Sequence, residues 1–116
     1  MRTFHANWAY VVVSVNLLTG LWGLLFVRRR LPAPAAFWPV VGAGYAALAV
    51  QVVLGLALTR TLGNPPGIHM FYGFVVAIAA ILVFAFRSED AKHNVTYFAA
   101  VSLFVGAVSI RAMITV

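Results

Sequence analysis

Charged residues in this chain are gathered into short gaps between four long apolar runs, and few folds survive that arrangement. A helix needs about 20 mostly apolar residues to cross the hydrocarbon of a bilayer. Four segments qualify, at about 7–27, 36–59, 68–86 and 95–115. Of the 116 residues, 64% are hydrophobic and only 9% are charged. A soluble domain carries about a quarter of its residues charged, so this chain could not cover a water-facing surface. The expected fold is all-α: one transmembrane domain over residues 1–116, an up-down four-helix bundle with the lipid bilayer as its solvent. The first run exceeds the roughly 7–15 residues of a signal-peptide core and reads as a spanning helix.

The breaks between spans have physical causes. Arg28, Arg29 and Arg30 stop the first, and Pro32 and Pro34 mark the turn that follows. Gly63, Asn64, Pro65, Pro66 and Gly67 form the second break, a dense set of turn residues. Arg87, Ser88, Glu89, Asp90 and Lys92 form the third. Loops one and three therefore hold most of the cations, against Arg2, Arg60 and Arg111 on the other side. The positive-inside rule predicts a multi-pass plasma-membrane protein with both termini outside. Short loops make consecutive helices antiparallel neighbours, which puts the first and third on a diagonal. Small residues suited to close packing in lipid occur at Gly42, Gly44, Ala46, Ala47 and Ala49, at Gly73 and Ala77, and at Ser102 and Gly106.

Composition also excludes chemistry. The chain has no cysteine, so disulfides, iron–sulfur clusters, thiolate zinc sites and covalent c-type haem are ruled out. The net charge of +6 belongs to membrane-flanking loops; no basic-aromatic stripe points to nucleic acid. There is no phosphate-binding loop, dinucleotide fingerprint, H-E-x-x-H or nucleophile elbow, and no carboxylate pair in the spans. An enzyme acting on its own is not expected.

Polar groups inside spans are functional candidates by default. At a rise of about 1.5 Å per residue, His69 sits roughly 27 Å from the inner edge of its helix, Gln51 and Arg111 roughly 26 Å, and His5, before the first helix, roughly 34 Å. Polar side chains from four segments thus meet one outer layer, and Tyr72 shares the face of His69. Each has a plain alternative. His5 suits the headgroup region, and His69 the interfacial start of a helix. Gln51 suits an interhelical hydrogen bond. Arg111 suits snorkelling or pairing with the carboxylate of Val116. Together the histidines say more. Diagonal axes stand on the order of 14 Å apart when neighbours pack at 8–10 Å, and two inward imidazoles across that gap could hold a flat macrocycle with one iron. No acidic side chain lies on that side to meet Arg60 and Arg111. Haem propionates would supply the charge, as would lipid phosphates, a partner subunit or the C-terminal carboxylate. His93, in the third loop beside Lys92, is expected only to be solvated.

The stretch from Gln51 to His69 reads QVVLGLALTRTLGNPPGIH. It resembles the part of haem A synthase where a Q-V-x-L-G helix opening leads through a Gly-Pro loop to a histidine at the next helix. The separation of His5 and His69 is similar to that of the paired haem-ligand histidines in one four-helix half of that enzyme. The resemblance implies that both are axial ligands of a b-type haem near the outer surface. Arg111 and Arg60 would then meet the propionates, and Gln51 and Tyr72 would line the pocket. The glutamate that precedes the first histidine in the enzyme's active half is missing from Met1, Arg2, Thr3 and Phe4, so oxidation of the haem methyl group does not carry over. The run from His69 to Gly73 and the ending Ile110, Arg111, Ala112, Met113 also resemble small four-span bacterial membrane proteins. The expected function is electron transfer or haem binding. The alternatives are a non-catalytic subunit or assembly factor of a larger respiratory complex, and a quinone-binding or transport role. A homodimer of half-sized bundles is also open.

Overall fold

The computed structural model describes residues 2–87 and 91–115, with the backbone alone at 91 and 92. Four helices carry the chain: α1 Arg2–Arg29, α2 Phe37–Leu62, α3 Gly67–Ala85 and α4 Ala91–Ile114. Each is long and apolar enough to cross a membrane. Their order agrees with the expected up-down bundle: α1 lies between α2 and α4, α3 lies between α4 and α2, and α1 and α3 do not touch through their backbones. The termini therefore share one end, and the arginine loop after α1 marks the other.

The helix ends differ from expectation where local chemistry extends them. Position 5 does not precede the first helix, because α1 is already helical at Arg2. The helix runs on past the apolar residues because nothing in Thr3, His5, Ala6 or Asn7 breaks it. His93 lies inside α4 and not in a loop; it is exposed, with its ring stacked on Tyr97. Ser88, Glu89 and Asp90 of the third break fall outside the described residues, as does Val116, one of the partners considered for Arg111. Basic residues occupy the last turns of α1, α2 and α4, where cations complement the helix dipole. Arg87, just beyond α3, donates to the Phe84 carbonyl at 2.6 Å.

The tightest seam joins α1 to α4. A Cβ on Gly20 would come within 2.9 Å of the Ala99 carbonyl, and one on Gly106 would come within 2.5 Å of the Leu17 side chain. These backbones approach because the side chains are absent, as close packing in lipid requires. The α1–α2 seam is held by polar contacts. Trp8 Nε1 donates to the Ala47 carbonyl at 2.8 Å, and Asn16 Nδ2 donates to Val12 at 2.9 Å and Gly44 at 3.3 Å. Two clusters fill the core. Phe37, Val41, Tyr45, Val83 and Phe98 fill the arginine end; Val12, Leu48, Val76 and Val105 fill the middle. By contrast, α2 and α3 pack sparsely, although only four residues join them.

Candidate functional site

Three of the four polar positions found by depth, His5, Gln51 and His69, come together; Arg111 does not join them. His5, one turn into α1, and His69, in the first turn of α3, face each other across the diagonal with ring centroids 6.3 Å apart and planes at 75°. Both are half-buried. The Gly-Asn-Pro-Pro-Gly turn sets the height of His69. Gly63 breaks α2 with φ 83°, Pro66 caps α3, and the His69 amide donates back to the Pro66 carbonyl at 3.0 Å.

One histidine is held by its backbone and the other by its ring. Gln51 Nε2 donates to the His5 backbone carbonyl at 2.9 Å and so ties the start of α1 to α2. His69 Nδ1 lies 2.9 Å from the Ala112 carbonyl of α4. A carbonyl only accepts, so this contact places the proton on Nδ1 and leaves Nε2 with its lone pair. One layer thus links all four helices. Gly55 of α2 lies beside the ring of His5: a Cβ there would come 3.2 Å from Cε1. Two groups in the layer remain unsatisfied. His5 Nδ1 and Gln51 Oε1 are buried and meet no hydrogen-bond partner.

The remaining expected residues stand at the margin. Tyr72 is half-buried one turn below His69 and packs edge-on to Phe71. Arg60 and Arg111 are exposed. Arg111 adjoins the Ala112 carbonyl that binds His69, so it lies at the height of the pair. Gly55 and the carbonyl of Ala112 are the contributors that sequence reasoning missed. A backbone carbonyl leaves no trace in residue type, and a glycine in QVVLG reads only as a small residue.

The donor set limits what the pair can bind. A structural zinc site takes four protein ligands and a catalytic one takes three. Among the described residues no group of three histidine or acidic side chains is gathered anywhere. Two imidazoles alone suit an ion whose other ligands arrive with it, as the four ring nitrogens of a porphyrin do. Two imidazoles sharing one ion stand with centroids roughly 6 Å apart, since a metal–nitrogen bond is about 2.0–2.1 Å and each nitrogen lies about 1 Å from its ring centre. The observed 6.3 Å meets that distance. The planes stand at 75° in a T-shaped contact, and a shared ion also needs each ring plane to contain the line that joins the rings. No family model, curated protein or solved structure matches this chain.

Proposed function

We propose that this chain is a membrane-embedded b-type haem-binding protein, with His5 and His69 as axial ligands, serving electron transfer or haem binding at the end of the bundle that holds both termini. The observation that carries this reading is the 6.3 Å separation of two imidazoles brought in by diagonal helices. The likeness of Gln51–His69 to haem A synthase supports the same assignment. Haem bound here would supply one-electron redox chemistry at its iron. The chain's own groups do the holding. The Ala112 carbonyl fixes the tautomer and turn of the His69 ring, a common device for metal-binding histidines. Gln51 anchors the backbone that carries His5, and Gly55 clears space beside that ring. The loosely packed α2–α3 seam is the side on which a flat ring could enter. Arg60 and Arg111 lie at this end of the bundle, where they can meet propionates. We further place this end outside the plasma membrane, on the strength of the arginine loop at the opposite end.

The test is a visible spectrum of the detergent-purified protein, oxidised and dithionite-reduced. The expected result is a Soret band with sharp reduced α and β bands. A colourless preparation from haem-replete cells overturns the proposal. It would favour the second reading, a non-catalytic subunit or assembly factor of a larger respiratory complex, or a homodimer. That reading draws on Gly42 and Gly73, where an added Cβ would meet nothing within 4 Å. Both leave room at the bundle surface for a helix from another chain.

A further inference from the structure

The opposite end of the bundle holds a second feature, independent of the histidine pair. Helix α1 ends in a Schellman motif: the Leu31 amide donates to the Phe26 carbonyl at 3.0 Å and the Arg30 amide to the Val27 carbonyl at 3.2 Å. The donor of the second bond, the first residue past the helix, must adopt the left-handed conformation, and glycine is the usual occupant because it has no Cβ to clash. Here the position is Arg30, at φ 54°, the one non-glycine residue with positive φ among the described residues. A long side chain in a strained backbone position points to a role for that side chain. Arg30 lines a cleft of about 410 Å³ between the α1–α2 turn and the start of α4. Its walls are otherwise mostly apolar, including Val27, Leu31, Trp38 and Val95, with Thr96 as a further polar group.

An apolar cleft with one guanidinium in its wall fits an anionic amphiphile. At the end of a spanning helix, beside Arg28 and Arg29, the anion at that depth is a lipid phosphate. We propose that this cleft is a binding site for an anionic phospholipid, with Arg30 on the phosphate and the glycerol and upper acyl chain against Trp38 and Leu31. Glycine at position 30 would relieve the backbone and forfeit the site.

The experiment uses the whole protein in phosphatidylcholine nanodiscs containing a minority of brominated phosphatidylglycerol or brominated phosphatidylcholine. Bromine quenches nearby tryptophan, and the component lost in Trp38→Phe is the one read. Wild-type protein should show a preference of about fivefold for phosphatidylglycerol, the size expected for one basic side chain near anionic lipid. Arg30→Ala and Arg30→Gly should both abolish that preference. Arg30→Gly alone should raise the thermal midpoint, which shows that the variant is folded and that the wild-type backbone is strained. The proposal is overturned if Arg30→Ala keeps the preference, if the two lipids quench equally in wild type, or if Arg30→Gly lowers the midpoint. It is also overturned if millimolar inorganic phosphate removes the preference and sodium chloride of equal ionic strength does not. Free phosphate would then be the ligand.

Discussion

His5 carries a ring nitrogen, Nδ1, that is buried without a hydrogen-bond partner, and an unsatisfied buried group costs about 1–3 kcal/mol. A residue kept at such a cost invites a test that separates folding from function. His5→Phe should raise the thermal midpoint of haem-free protein, because an apolar ring carries no such cost. The same change should abolish the six-coordinate spectrum of protein purified from haem-replete cells. His69→Ala should also abolish it, with membrane insertion intact. A variant that retains the wild-type spectrum removes its residue from the ligand pair. Gly55 offers a third handle. Valine there drives a branched side chain against the ring of His5, already 3.2 Å from a Cβ at that position. Gly55→Val should therefore lower haem occupancy without preventing insertion, read as the ratio of Soret to protein absorbance.

At the scale of elements, the bundle is unequal. The α1–α4 pair is locked by missing side chains, and the α1–α2 pair by hydrogen bonds. Gly20→Val should destabilise the protein by about 1–3 kcal/mol through overpacking, because the opposing Ala99 carbonyl belongs to backbone that cannot turn aside. Asn16→Leu should cost less, about 0.6 kcal/mol and no more than about 1.7, the average and the maximum for interhelical hydrogen bonds in lipid. Reversible unfolding in mixed micelles measures both, and the reverse order would mean that polar contacts outweigh close packing in this bundle. Helix α3 buries only Val76 and Val83 fully. A small residue on a span can face a neighbour or the lipid, and the two look alike in sequence. The structure sorts them. Gly44, Ala47, Ser102 and Gly106 are buried and Gly42, Ala46 and Ala49 are exposed, while Gly20 and Gly23, which sequence reading passed over, join Gly106 where an added Cβ would meet a neighbour within 3 Å.

The whole molecule measures 47 × 24 × 20 Å, against a hydrocarbon thickness of about 30 Å. Both ends must therefore reach the headgroup layers. At 19 residues, α3 is roughly 28 Å long and matches the hydrocarbon, so His69 at its start marks one edge. The histidine pair then lies at a membrane boundary. Reporter fusions at the two termini should give the same result, since four antiparallel crossings return the chain to its starting side. They should report the outside of the cell. A cytoplasmic result at both would leave the pair intact and move it to the inner face.

Sequence alone determined that this chain spans a membrane with four helices, since length and apolarity decide whether a helix can live in lipid. It also determined the depth at which polar residues fall, because rise per residue is a local property. Depth cannot say whether two side chains at one height face each other or the lipid. That depends on how each helix is rotated about its axis, which Gly20 against α4, Gly106 against α1 and Asn16 against α2 decide. Only the packed structure turned His5 and His69 together, gave one ring to the Ala112 carbonyl and the other a place beside Gly55, and bent Arg30 into a conformation that its residue type disfavours.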